Sequence, residues 1–319
     1  MFKGVDFYPH GARPPLMAVR HYFIAASCVA AMFALALILA KGLNFGIDFK
    51  GGALFEVQGK VAEIDIGELR SNLSELDLGE VQIQSLDDPR DALIRVEQQQ
   101  GGETAQQEAA DTVRIALGDD IEIRRVEVVG PAVSGELKQA GIIAISLSMV
   151  GILLYIWFRF EWQFGIAAIL ALFHDIFITI GMFSLLGFTF GLAELAALLT
   201  LAGYSINDTV VVFDRIRENL RRFKKMPMVK LLDVSISETL SRTVITSGTT
   251  FAAVAALYVF GTEVIRGFAF AMLFGILIGT WSSIFVASPF LLWIGVRRDW
   301  SEPAATEKPT TGTPAPARE

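Results

Sequence analysis

Six residues carry charge or strong polarity inside stretches that are otherwise apolar: His174 and Asp175, Glu194, Asn207 and Asp208, and Arg242. An ionised side chain near the centre of a bilayer costs about 2.5–3.5 kcal/mol on insertion scales, so such residues need partners or a purpose. A carboxylate there is caught between desolvation, which favours the neutral acid, and a nearby guanidinium, which favours the ion. Asp208 near Arg242 can therefore take up or release a proton when its surroundings move. If access alternated between the two sides, each charge would be worth about 2.3 kcal/mol per 100 mV. A static buried pair that only fixes helix register is the competing reading, and the residues alone leave both open.

These residues sit in apolar runs of the length that a hydrocarbon core of about 30 Å demands. The chain has 319 residues, 53% hydrophobic, with a mean hydropathy of +0.49. Six spans are expected at Tyr22–Ala40, Ala140–Phe158, Phe164–Leu186, Leu192–Phe213, Thr243–Phe260 and Phe268–Val296, the last long enough to kink near Pro289. As blocks, the spans are 22–42, 138–158, 164–186, 190–213, 242–261 and 267–296. Ala34-Leu35-Ala36 has the small residues of a leader cleavage site, but the apolar run continues through Leu39, which favours a retained anchor.

Positive charge orients the spans. Arg215, Arg217, Arg221, Arg222, Lys224, Lys225 and Lys230 fall in the segment 214–241, expected as a basic cytoplasmic loop, and Arg13, Arg20, Arg159, Arg297 and Arg298 fall on the same side. Leu43–Glu136 instead holds 8 Lys/Arg against 20 Asp/Glu, and block 43–137 is placed outside. Both termini, 1–21 and 297–319, are then cytoplasmic. The Pro-rich tail from Ser301 onward is too polar to bury anything and is expected to be disordered. Span four runs inward and span five returns, so Asp208 and Arg242 can sit at similar depth on adjacent helices, and a buried ion pair is geometrically reasonable. Glu194 precedes Asn207-Asp208 by thirteen or fourteen residues, close to four turns, which predicts one shared face looking into the bundle.

Within 43–137 the periodicity predicts strands at Ala53–Gln58, Val81–Ser85, Leu93–Glu97 and Ile121–Val129, with helices at Ile66–Leu76 and Thr104–Leu117. Asp87-Asp88-Pro89 and Gly101-Gly102 supply turns. This β-α-β-β-α-β order is that of an α+β, ferredoxin-like domain, whose free sheet face and edges suit binding better than catalysis.

Enzyme chemistry finds no support. Cys28 is the only cysteine and the histidines are His10, His21 and His174, which leaves no disulfide framework and no metal centre, and no cofactor is expected. Ser205 has no histidine after it to act as a base. Gly275 and Gly279 form a G-x-x-x-G packing surface in span six. The basic segment reads as an orientation signal on a partly helical loop, with a nucleic-acid or lipid-headgroup patch as the competing reading.

Several strings are recognisable. Gly46-Ile47-Asp48-Phe49-Lys50-Gly51-Gly52 resembles the G-I-D-F-x-G-G signature of the SecD/SecF family, and Gly46, Asp48, Gly51 and Gly52 mark it where the chain leaves the bilayer. The run from Gly203 to Asn219, the Ser241-Arg242-Thr243 segment with Thr246-Ser247, and His174-Asp175 are similar to that family's motifs in spans four, five and three. The resemblance implies one six-span half of a permease unit of the resistance-nodulation-division superfamily. It implies a heterodimer with SecD, association with the SecYEG channel and YajC, an indirect relation to SecA, and contact with a translocating preprotein in the inner membrane. The implied function is that of an accessory subunit of the Sec translocase that draws on the proton motive force to complete export. By the same implication Asp208 and Arg242 are the proton relay, with Asp175 and Asn207 in support. A non-transducing structural adaptor and half of a small-molecule exporter are the alternatives.

Overall fold

The computed structural model describes residues 14–86 and 88–296, and the side chain of Glu263 is not described. Expectations that fall on His10, Arg13, Asp87, Arg297, Arg298 or the tail lie outside the described residues.

The chain enters through a short 3-10 turn, Leu16–Val19, into α1 (Arg20–Lys41). A two-residue strand β1 (Asn44–Phe45) and a single helical turn α2 (Ile47–Lys50) lead into the sheet domain. There follow β2 (Gly52–Gly59), α3 (Ile66–Ser74), β3 (Val81–Ser85), β4 (Asp91–Val96), α4 (Gly102–Ala116) and β5 (Ile121–Val129). The order β-α-β-β-α-β is the expected one. The sheet runs β3-β4-β2-β5, with every neighbouring pair antiparallel. On β2, alternate residues Ala53, Phe55 and Val57 face inward and meet Leu73 of α3 and Val113 of α4, so a period-two strand and two amphipathic helices share one core. Asp65 caps α3 by accepting from the N–H groups of Gly67 and Glu68.

Five further helices complete the bundle: α5 (Pro131–Arg159), α6 (Trp162–Leu186), α7 (Leu192–Arg222), α8 (Met228–Phe260) and α9 (Glu263–Ser282). A π turn, Ser283–Ala287, then joins α9 to α10 (Ser288–Ile294). Six helical segments among the described residues are long and apolar enough to cross a membrane, and the protein is an integral membrane protein. The segments α6, α7 and α9 with its π turn form the buried middle of the bundle, whereas α1, α5 and α8 leave most of their surface uncovered.

Helix ends differ from the apolar boundaries for a physical reason. A helix that emerges from lipid keeps its backbone hydrogen bonds; only its side chains change character. Thus α5 begins at Pro131, where proline's fixed φ and missing N–H suit a first turn, nine residues ahead of the expected Ala140. Between Arg222 and Met228 only residues 223–227 lie outside the helices, so the expected basic loop 214–241 is a helical hairpin. Arg215 pairs with Glu238 at 2.8 Å, and Asn219 donates to Ser235 (3.0 Å) and Glu238 (2.7 Å), which ties its two arms. The kink expected near Pro289 takes the form of the π turn just before it, since Pro289 has no N–H to return to the preceding turn.

Candidate functional site

Two carboxylates are sealed in the bundle middle, and hydroxyls hold both. Asp175 comes from the centre of α6 and is 0% exposed; Asp208 comes from α7 and is 6% exposed. Asp175 Oδ2 accepts from Ser205 of α7 (2.5 Å) and Ser282 of α9 (2.7 Å), and its Oδ1 lies 2.9 Å from Nδ1 of His174. Asp208 Oδ1 accepts from Thr243 of α8 (2.9 Å), and Oδ2 accepts from Ser283 at the start of the π turn (2.6 Å). Four membrane spans thus converge on two acidic groups, which is how a polar site is built where lipid offers no hydrogen bonds.

Close packing makes this convergence possible. Gly279 lets α9 approach α7 until a Cβ there would lie 3.3 Å from Cβ of Ser205, and a Cβ on Gly275 would overlap Leu201. The expected G-x-x-x-G surface is therefore the seam between the fourth and sixth spans. Ser247 and Thr280 add a 2.8 Å hydroxyl contact between α8 and α9.

Two expectations need correction. Asp208 and Arg242 form no ion pair within 4.0 Å among the described residues; Asp208 is bound by hydroxyls and Arg242 is exposed. The cause is helical phase. Thr243 faces α7, and the preceding residue, about 100° around the helix, points away from the packed middle. Arg242 still lies close enough for its charge to act on Asp208. Asn207 also departs from its expected place, being exposed rather than inward-facing. Fourteen residues bring Asp208 within about 40° of Glu194, but thirteen leave Asn207 about 140° away. Glu194 and Asp208 are both buried, as that phase requires.

The second expected cluster lies about 24 Å along α7, taking 1.5 Å per residue from Leu192 to Asp208. Asp48 Oδ2 accepts from the N–H of Leu192 (2.9 Å), and Glu194 Oε2 accepts from the N–H of Gly191 (2.8 Å), so two carboxylates occupy the α7 N-terminus. Gly46 donates to Phe190 (2.9 Å), and β1 pairs in parallel with β6 (Thr189–Phe190), the two-residue strand before α7. Gly52 has φ +125°, and a Cβ there would sit 2.3 Å from the carbonyl oxygen of Val96. The glycine pair is a tight seat for the sheet, which departs from a merely flexible lead-in.

The expected relay residues and the expected entry motif thus fall in different places. Asp175 and Asp208 share one site, Arg242 borders it, Asn207 faces away, and Gly46, Asp48, Gly51 and Gly52 build a separate junction. Ser282 and Ser283 were not anticipated. Their signal was a pair of adjacent hydroxyls in the middle of an apolar span, which hydropathy barely registers.

A six-helix membrane bundle with acids buried between its helices, and a small sheet domain inserted after the first helix, defines a transporter-like half unit. The family model described as protein export membrane protein SecD/SecF, C-terminal, matches residues 110–297, and that of the SecD/SecF GG motif matches residues 36–62. The protein translocase subunit SecF of Desulfurispirillum indicum is 48% identical over 286 residues, covering 88% of this chain and 91% of that relative. The protein translocase subunit SecDF of Brucella abortus is 41% identical over 283 residues, covering 89% of this chain and 37% of that relative. The crystal structure of SecDF from Thermus thermophilus superimposes with a TM-score of 0.82 at 37% identity, over 90% of this chain and 39% of that one. The chain therefore belongs to the SecD/SecF family of protein export membrane proteins.

Proposed function

We propose that this chain is an accessory subunit of the Sec protein translocase that, with SecD, uses the proton motive force to complete preprotein export across the inner membrane. The observation that carries this reading is the setting of Asp208: a buried carboxylate held by two neutral hydroxyls, with Arg242, the one cation acting on it among the described residues, outside hydrogen-bond reach. An aspartate locked in an ion pair would stay charged. One bound by hydroxyls, which donate or accept equally well, tolerates both protonation states. Asp175 supports it from α6, and Asn207 and Arg242 complete the relay from the exposed side.

The uncovered side of α7 favours pairing. Ala193, Ala196, Thr200, Gly203 and Asn207 recur there at three- and four-residue spacing, and Arg242, Thr246 and Thr249 continue a polar row on α8. Small and polar residues are what helix partners use in lipid. SecD seated there would bring its own carboxylate beside Arg242, giving a twelve-span unit of the resistance-nodulation-division type. The basic charge of the α7–α8 hairpin supports a cytoplasmic setting for that end and for both termini, and the acidic charge of segment 43–137 supports a periplasmic one. SecYEG and YajC are the expected further partners, SecA an indirect one, and anionic lipid the surrounding surface.

The test is reconstitution with SecD in energised vesicles. Asp208→Asn is expected to lower proton-driven export at least tenfold, with ATP-driven initiation unchanged. Undiminished proton flow and export in that variant would leave the adaptor reading in its place.

A further inference from the structure

The buried acids are joined by neighbours in sequence. Ser282 serves Asp175 and Ser283 serves Asp208, and both sit where α9 gives way to the π turn. Each serine also has a second acceptor within reach. Ser282 Oγ lies 2.7 Å from Asp175 Oδ2 and 3.1 Å from the Gly279 carbonyl; Ser283 Oγ lies 2.6 Å from Asp208 Oδ2 and 3.0 Å from the Thr280 carbonyl. A hydroxyl has a single proton, so it can donate to only one of its two acceptors at a time.

We propose that Ser282 and Ser283 are positioning residues that report the protonation of Asp175 and Asp208 to the sixth span by reversing their hydrogen bonds. This inference rests on the reading of Asp208 as a proton acceptor.

An ionised carboxylate only accepts, so each serine donates to it and leaves its own helix carbonyl. When a proton binds at Oδ2, the carboxyl O–H becomes the donor, the serine oxygen accepts, and the serine proton turns to the carbonyl three residues back. The bound proton stays on the carboxyl; the serine proton only reorients. Serine hydroxyls bonded to the preceding turn bend helices, and π turns recur at functional positions. Here the affected carbonyls, Gly279 and Thr280, precede the π turn directly. Ser288 Oγ donates to the Ser283 carbonyl (2.9 Å) and holds the far side of the turn. Because the two donors are consecutive residues, a shift of one displaces the other, and the two acids sense each other without touching.

The titratable and charged groups facing this site are His174 from α6 and Arg242 from α8, with Tyr204 one turn along α7; α9 and the π turn bring hydroxyls. Asp175 and Asp208 are themselves the responding groups.

The experiment is pH-titrated infrared difference spectroscopy on the full chain reconstituted with SecD, with Asp208→Asn and Asp175→Asn assigning the two carboxyl bands. Ser283→Ala is expected to displace the Asp208 band and shift its midpoint by about tenfold in proton affinity, the scale of one hydrogen bond to a charged group. Ser282→Ala is expected to do the same at Asp175, and to shift the Asp208 midpoint by a smaller factor. Ser283→Thr, which keeps a hydroxyl, is expected to return within about threefold of the original. Should Ser283→Ala not fold, Ser283→Cys, a weaker donor of similar size, carries the same test. An Asp208 band and midpoint unmoved by loss of the serine donor, with export still abolished by Asp208→Asn, would overturn the serine proposal and leave proton coupling standing. Export that survives Asp208→Asn would remove both.

Discussion

The sheet domain buries almost only apolar side chains, whereas the helical bundle encloses polar ones beside its apolar core. In the sheet domain Phe55, Leu73, Ile94 and Val113 are fully enclosed, while Arg90–Asp88, Arg114–Asp111, Arg124–Asp91 and Arg125–Glu127 pair at the surface. In the bundle Asp175, Thr179, Thr209, Ser282 and Ser283 are enclosed, while Trp157, Phe158 and Phe260 are more than three-quarters exposed. One chain thus follows two solvents. Water expels the apolar face of the sheet, whereas lipid is indifferent to it and leaves packing and internal hydrogen bonds to hold helices together.

The sharpest way to break this contrast is to remove buried apolar volume from the sheet. Phe55→Ala is expected to cost about 3–5 kcal/mol, read as lost amide-exchange protection across β2, β4 and β5 in the reconstituted chain. Protection that persisted would mean the bundle, not the domain's own core, holds the sheet.

The bundle answers to shape instead. Gly181 lies against α1 so closely that a Cβ would be 2.3 Å from Cβ of Ala34 and 2.8 Å from its Cα. Gly181→Val is expected to cost about 1–3 kcal/mol despite adding apolar surface, seen as a lower melting temperature in detergent. A neutral result would show that burial drives this contact as it does in water.

The smallest effect is expected where water screens. The Arg90 guanidinium beside Asp88 holds its carboxyl at about 2, below the ordinary 3.8. Its contribution to stability is complete above the ordinary value and lost as pH falls through about 2. The pair lies at the surface, with Arg90 exposed and Asp88 partly so, and Asp88→Asn is expected to leave the exchange protection of the sheet unchanged at pH 7.

Much of the architecture was legible because patterning differs so sharply between the two regions. Val81–Ser85 and Ile121–Val129 have the bounds their alternation predicts, and Leu186 and Phe260 end helices where Gly187 and Gly261 follow. Helix ends that project from lipid were not legible, since Glu136 and Lys138 lower hydropathy without interrupting a helix. The acids themselves stood out, being expensive where they are. Ser282 and Ser283 did not, and Thr243 stood only within the span-five string beside Arg242: all three are uncharged, and their role depends on which helix lies opposite. Thr243 rather than Arg242 meets Asp208 because of a single step around a helix, which spacing along the chain cannot resolve without knowing the neighbour.

The β1–β6 pairing gives the sheet a root in the bundle. Asp48 hangs from the first N–H of α7, Gly46 from Phe190, and Arg95 of β4 donates to Thr189 at 2.8 Å. The strand that starts the sheet and the helix that carries Asp208 therefore share one fulcrum. A tilt of a few degrees at that helix tip is multiplied along the strands, so their far ends, Gly59 on β2 with Asp91 and Ile121 beside it, would sweep the widest arc.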